Sequence, residues 1–101
     1  MNKEVWRRTN IQYVYPAIDL WQKGKLPEAE TIFLKGLNET NNDGFIALNY
    51  GKLLEEMKRF NEASKMYEIA LNRLFQPKNK EQARKGLERI ALKIKNVSSK
   101  G

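Results

Sequence analysis

The chain contains neither cysteine nor histidine. Without cysteine it can form no disulfide and no thiolate site, and without histidine it lacks the commonest general base and metal ligand. Zinc sites and Ser-His or Cys-His catalysis therefore cannot be built from this sequence. It also lacks a glycine-rich phosphate loop, and adjacent acids such as Glu55 and Glu56 point about 100° apart on a helix. We expect no enzymatic activity, no cofactor and no bound metal.

Long apolar segments are also missing. No window approaches the ~20 apolar residues that span a bilayer, and the first residues lack the apolar region of a signal peptide. A cytoplasmic location is the simplest prediction. With 101 residues, three prolines, 41% hydrophobic and 31% charged residues, the composition favours one helical globular domain.

Positive charge is concentrated at one end of the chain. Residues 1–75 carry 11 basic and 10 acidic side chains, whereas residues 76–101 carry eight basic and two acidic ones. The protein is therefore a nearly neutral body followed by a basic segment.

A repeat of 34 residues is the strongest positive feature. When residues 10–43 are aligned with residues 44–77, five positions are identical. The identical pairs are Leu20/Leu54, Glu28/Glu62, Ala29/Ala63, Leu37/Leu71 and Asn38/Asn72. A fixed period of this length is typical of helical repeat proteins.

Each repeat unit divides into two helical patterns separated by a short joint. The apolar spacing predicts helices over about 10–23, 27–39, 44–57 and 61–74. The short joints force the two helices of a unit to pack antiparallel. Pro27 suits the first turn of its helix, and Asp43 is expected to cap the helix that follows it.

Pro16 conflicts with the first predicted helix, because an internal proline removes a backbone hydrogen bond and costs about 3 kcal/mol. Either this helix bends at Tyr13–Pro16, or a separate helix runs from about Lys3 to Tyr15 and a new one begins at Pro16. The sequence leaves both alternatives open.

A final amphipathic helix is expected after Pro77, and Asn79 with Gln82 resembles a capping box. Its apolar stripe consists of Ala83, Leu87, Ile90, Ala91 and Ile94. Its basic face consists of Arg84, Lys85, Arg89, Lys93 and Lys95. This face could neutralise nucleic-acid phosphates or an anionic membrane, or it could serve only to keep a capping helix solvated.

The repeated positions resemble those of the tetratricopeptide repeat family. In the first unit the matching residues are Tyr13, Ala17, Leu20, Gly24, Glu28, Ala29, Phe33 and Leu37. In the second unit they are Asn49, Gly51, Leu54, Glu62, Ala63, Tyr67, Ala70 and Leu71. The resemblance implies an all-α, right-handed superhelix with an N-terminal extension (1–9), two helical hairpins (10–43 and 44–77) and a basic capping helix with a frayed tail (78–101).

The same resemblance implies a binding function for the concave face. Such arrays act as protein- or peptide-binding adaptors and assembly scaffolds, and their groove is lined by the first helix of each pair. The predicted groove residues are Val14, Ile18, Trp21, Phe45, Leu48, Asn49, Lys52 and Glu55. Because two units bury little core, self-association through Val5, Trp6 and Tyr15 is a further hypothesis. Nucleic acid is the alternative partner, through the basic face.

Overall fold

The computed structural model describes the backbone of residues 3–100 and the side chains of residues 4–95. Every regular element in that part is helical: α1 (Lys3–Thr9), a π-helical segment (Asn10–Val14), α2 (Tyr15–Gln22), α3 (Leu26–Glu39), α4 (Gly44–Glu56), α5 (Phe60–Arg73) and α6 (Pro77–Lys100). The all-α prediction is confirmed. The helices predicted over 27–39, 44–57 and 61–74 agree with α3, α4 and α5 to within one residue at each end.

Pro16 is accommodated inside a run of helix that extends from Lys3 to Gln22. Within the π-helical segment, the backbone N–H of Tyr15 donates to the carbonyl of Asn10, five residues earlier. This wider turn comes directly before Pro16, and it relieves the clash between a proline ring and the carbonyl one turn earlier. The alternative in which one helix ends at Tyr15 and another begins at Pro16 is therefore wrong.

The joints inside the two hairpins have the same hydrogen bonds at positions 34 residues apart. In the first joint, the backbone N–H of Lys25 donates to the carbonyl of Leu20 at 2.8 Å. In the second joint, the N–H of Arg59 donates to the carbonyl of Leu54 at 2.9 Å. These bonds satisfy carbonyls left open at a helix C-terminus, so each pair of helices is linked in the same way.

Left-handed backbone conformations mark the turns. Gly24 and Lys58, which are equivalent in the repeat, have φ angles of 78° and 62°. Asn41 and Asn42 have φ angles of 55° and 67° in the turn between the units. Asp43 then caps α4, because its Oδ1 accepts hydrogen bonds from two backbone N–H groups of the first turn at 3.0 and 2.9 Å. This capping role confirms the prediction.

The core lies around α4. Consecutive helices pack against one another from α2 to α6, and α4 also contacts the π-helical segment and α6. The largest fully buried side chains are Tyr67, Phe33, Ile46, Leu48, Leu53, Leu54, Ile90, Val14 and Asn10. Helix α4 is thus covered on several sides, and this burial decides which of its residues can meet a partner.

Two glycines allow close packing around the ring of Tyr67. A Cβ atom added at Gly86 of α6 would lie 2.6 Å from that ring, and one added at Gly51 of α4 would lie 3.0 Å from it. Such distances leave no room for a methyl group beside a buried ring. Tyr67 therefore packs between α4 and α6, so that its ring joins the last helix to the second hairpin.

Helix α6 differs from its prediction in two respects. Ala83 and Ile90 are buried and Leu87 is partly buried, but Ala91 and Ile94 are exposed, so the apolar stripe contacts the body only as far as Ile90. The capping box is wrong, because α6 begins at Pro77. Instead, the Nδ2 of Asn79 donates to the side chain of Gln76 at 2.7 Å, and Gln82 contacts α4.

Candidate functional site

Three of the predicted groove residues are inaccessible. Val14 is 1% exposed, Leu48 is fully buried and Asn49 is 7% exposed. The Nδ2 of Asn49 donates to the carbonyl of Phe45 in its own helix at 2.9 Å. Val14 lies in the π-helical segment, which packs on α3 and α4, and Leu48 belongs to the core around α4. The expectation that these three side chains line an open groove is therefore wrong.

Ile18 and Trp21 remain accessible at the surface of α2. Together with Gln22 and Glu56 they line a shallow pocket of about 420 Å³. The indole N–H of Trp21 donates to a carboxylate oxygen of Glu56, so the ring is oriented against α4. An apolar floor with a polar rim can accept one apolar side chain of a partner while its backbone stays hydrated.

Phe45 is partly covered by the N-terminal helix. The ring of Trp6 in α1 lies 5.8 Å from the ring of Phe45, and the two planes are tilted by 47°. Residues near the N-terminus thus reach α4, which the sequence analysis did not foresee. Val5, Trp6 and Tyr15, the predicted self-association residues, are 42%, 37% and 56% exposed.

Glu55 joins α4 to α6. Its carboxylate accepts two hydrogen bonds from the guanidinium of Arg89 at 2.9 and 3.0 Å, one from Lys93 at 3.2 Å and one from the hydroxyl of Tyr67 at 2.7 Å. The hydrogen bonds from Arg89, and secondarily those from Tyr67 and Lys93, lower the pKa of Glu55 to about 2. This predicted groove residue therefore holds the fold together and is not free to bind a partner.

Lys52 lies beside this cluster and has no acidic partner there. Its Nζ donates to the side-chain oxygen of Gln82 in α6 at 2.6 Å. Partial burial, followed by the nearby charge of Arg89, lowers the pKa of Lys52. We call Lys52, Glu55, Gln82, Arg89 and Lys93 the α4–α6 junction. It contains three cations and one carboxylate, and sequence reasoning missed it because only the fold brings the two helices together.

The predicted basic face of α6 is divided by ion pairs. Arg84 pairs with Glu81, while Arg89 and Lys93 both pair with Glu55. Lys85 and Lys95 are exposed and make no ion pair with any side chain among residues 4–95. Three of the five cations thus take part in ion pairs and share two carboxylates, and this leaves a weaker positive surface than the sequence suggested.

A second network connects the two hairpins. The hydroxyl of Tyr50 in α4 donates to Glu30 in α3, and Arg59 pairs with Glu30 at 2.8 Å and with Glu62. The hydrogen bond from Arg59 is the main cause of the lowered pKa of Glu30. These groups satisfy one another, so we assign them a structural role.

Asn10 in the π-helical segment is 1% exposed, and neither polar atom of its side chain makes a hydrogen bond within the described protein. An unpaired buried amide costs about 1–3 kcal/mol. Asn10 adjoins the distortion caused by Pro16, and nothing else in the structure accounts for it.

Among the described residues, no helix combines the length and apolar character needed to cross a membrane. The side chains that the structure describes likewise contain no group of three or more acidic residues arranged to hold a metal ion. Compared with protein-family models, with curated proteins and with solved structures, the chain shows no match.

Proposed function

We propose that the chain is a tetratricopeptide-like adaptor or scaffold that binds a protein or peptide partner in the cytoplasm and catalyses no reaction. The binding surface is the open part of the groove, where Ile18, Trp21 and Gln22 of α2 lie beside Glu56 of α4. The proposal is supported by the duplicated hairpin joints together with the resemblance of the two repeat units to that family.

One observation carries the binding role. The pocket lined by Ile18, Trp21, Gln22 and Glu56 exposes part of an indole ring that is already oriented by its hydrogen bond to Glu56. A pre-oriented aromatic side chain loses little conformational entropy on binding, and for this reason such residues are frequent binding hot spots.

The test uses peptides selected from a random display library against the purified protein. Ile18→Lys places a charge in the pocket and should weaken binding of the selected peptides at least about tenfold, which is 1.4 kcal/mol. Leu34→Lys is the matched control, because Leu34 is a 50% exposed apolar residue on α3, outside the pocket. Equal affinities for the two variants would refute the proposed groove.

The alternative, in which the basic face of α6 binds nucleic acid or an anionic surface, has less support. Only Lys85 and Lys95 of the five predicted residues are without an ion pair in the described part of the chain. Phosphate binding grows with the number of uncompensated cations, and because Glu81 and Glu55 offset two of the five charges, the affinity of this face for phosphate would be weaker and more easily lost as salt rises.

A further inference from the structure

We propose that the pocket of Ile18, Trp21, Gln22 and Glu56 binds an arginine side chain of the partner peptide. The stem of that arginine lies on Ile18, while its guanidinium stacks on the indole of Trp21 and pairs with Glu56. The inference rests on the proposed function and names the chemistry that its binding surface recognises. It depends on a carboxylate without a cationic partner, on the indole beside it, and on the apolar floor of the pocket.

Glu56 is not paired with a cation, although three basic residues lie within four positions of it in the chain. Lys52, one helical turn earlier, donates to Gln82 of α6. Arg59, in the joint, pairs with two other carboxylates. Lys58 forms no ion pair within the described part of the chain, and neither does Glu56. The negative charge of Glu56 is therefore available to a positively charged group of a ligand.

Trp21 directs this carboxylate into the pocket. Its indole N–H donates to one oxygen of Glu56, and a carboxylate has about four acceptor positions in all. Most of these positions stay open to a further donor. Trp21 is half-buried and lines the pocket, so part of its ring is accessible to a ligand. Among aromatic side chains, tryptophan attracts cations most strongly, so the ring and the carboxylate both favour a positive charge.

The apolar floor and the carboxylate together select a long cationic side chain. A neutral apolar side chain in this pocket would displace water from Glu56 without replacing its hydrogen bonds, which opposes binding. An arginine covers Ile18 with its methylene groups, and its N–H groups replace the displaced water. The side-chain carbonyl of Gln22, at the rim, is a further acceptor for these N–H groups.

Two general properties make a preference for arginine diagnostic. The net charge of the chain is +7, so its long-range field repels a cationic peptide and cannot by itself produce such a preference. The guanidinium group is flat and weakly hydrated, and it stacks on aromatic rings, whereas the ammonium of lysine is compact and strongly hydrated. We therefore expect the pocket to prefer arginine to lysine.

The experiment is a nuclear magnetic resonance titration of the nitrogen-15-labelled protein with two tripeptides. One is acetyl-Gly-Arg-Gly-amide, and the other has citrulline, which has the shape of arginine without its charge. The indole N–H signal of Trp21 is the readout, and that of Trp6, which packs on Phe45 away from the pocket, is the internal control. We expect the arginine peptide to bind at least about fivefold more tightly than the citrulline peptide. Equal affinities, or equal shifts of the two indole signals, would overturn the proposal.

Two variants separate a specific site from a change in net charge. Glu56→Gln removes the charge but keeps an oxygen that can accept the indole N–H of Trp21. Glu68→Gln removes the same charge from an exposed position of α5 that does not line the pocket. Glu56→Gln should abolish the preference for arginine over citrulline, whereas Glu68→Gln should change it by less than about twofold. Equal losses would mean that net charge alone is responsible, and the arginine site would be wrong.

The remaining outcomes distinguish this site from the groove itself. If acetyl-Gly-Lys-Gly-amide bound as tightly as the arginine peptide, the pocket would accept any cation, and the arginine assignment would fail. If Ile18→Lys weakened the library peptides while Glu56→Gln left the arginine preference unchanged, the groove would stand without the arginine site. If the arginine preference depended on Glu56 but the library peptides ignored Ile18→Lys, the arginine site would stand and the proposed groove would fail.

Discussion

Trp21 and Glu55 occupy equivalent positions of the two repeat units, yet they connect their helices by different chemistry. Trp21 reaches from α2 to α4, where its indole donates to Glu56. Glu55 reaches from α4 to α6, where it pairs with Arg89 and Lys93. The repeat geometry thus fixes where one helix contacts the next, while the contact itself can be aromatic or ionic.

The buried aromatic residues of the two units differ in a similar way. Phe33 stacks on Tyr50 of α4, with ring centroids 5.7 Å apart and an interplanar angle of 26°. Its equivalent, Tyr67, packs against Gly51 and Gly86 and uses its hydroxyl to contact Glu55. The first hairpin is therefore joined to its neighbour by ring stacking, and the second is joined by close packing on glycine together with a polar cluster.

Gly86→Ala should have the largest effect on stability, because it disturbs the packing of Tyr67 in the second hairpin. Its Cβ would lie 2.6 Å from the buried ring of Tyr67, so α6 or the ring must shift, and the free energy of unfolding should fall by about 2 kcal/mol. Chemical denaturation followed by circular dichroism measures it. Gly51→Ala should lower the free energy of unfolding by less, because its Cβ would lie 3.0 Å from the ring of Tyr67. If Gly86→Ala instead stabilised the protein by about 1 kcal/mol, as a simple helix glycine would predict, the close packing would be wrong.

Glu55→Gln should cause the next largest loss of stability. The change removes the charge that binds Arg89 and Lys93, and hydrogen bonds to charged groups contribute about 1.5–3 kcal/mol each. We expect unfolding to become easier by about 2 kcal/mol, measured in the same way. Glu56→Gln is the adjacent control at an exposed position, and its effect should be about 0.5 kcal/mol. If both variants lost the same unfolding free energy, the prediction that Glu55 stabilises the contact between α4 and α6 would be wrong.

The pH dependence of stability gives a third comparison. The pKa of Glu55 is about 2 in the folded protein, compared with 4.5 for the ordinary group. Because the folded-state pKa is the lower one, the stabilisation is complete above about pH 4.5 and is lost as the pH falls towards about 2. Unfolding free energies of the wild type and Glu55→Gln should therefore converge as the pH falls through this window. A constant difference across it would contradict the prediction.

Lys58→Gly should have the smallest effect on stability. It tests whether the two joints are equivalent, because it gives both of them glycine at this position. Lys58 has a φ of 62°, where the matching residue of the first joint is Gly24. Glycine adopts this conformation without the steric cost of a side chain, so thermal melting should show a gain of about 0.5 kcal/mol. Lys65→Gly, in the middle of α5, should instead lose about 1 kcal/mol. If Lys58→Gly also lowered the stability, the second joint would not tolerate glycine as the first one does, and the two joints would not be equivalent.

Much of the fold could be read from local patterns. The bounds of α3, α4 and α5, the cap at Asp43 and the short joints all depend on residues close together in the chain, and apolar spacing and capping residues report them directly. Ile18 and Trp21 could be placed on one face for the same reason, since they lie one turn apart on a single helix, but their role in binding stays a prediction. The family assignment itself stays a prediction.

The sequence by itself determined that this protein is helical, that its hairpin joints recur with a 34-residue period, and that its basic residues gather after residue 76. Only the tertiary structure decided that Val14 and Leu48 are core residues, that Glu55 binds α6, and that Lys52 donates to Gln82 of α6. The reason is physical: helix formation is governed by neighbours along the chain, whereas burial and charge balance depend on which distant helices are packed together.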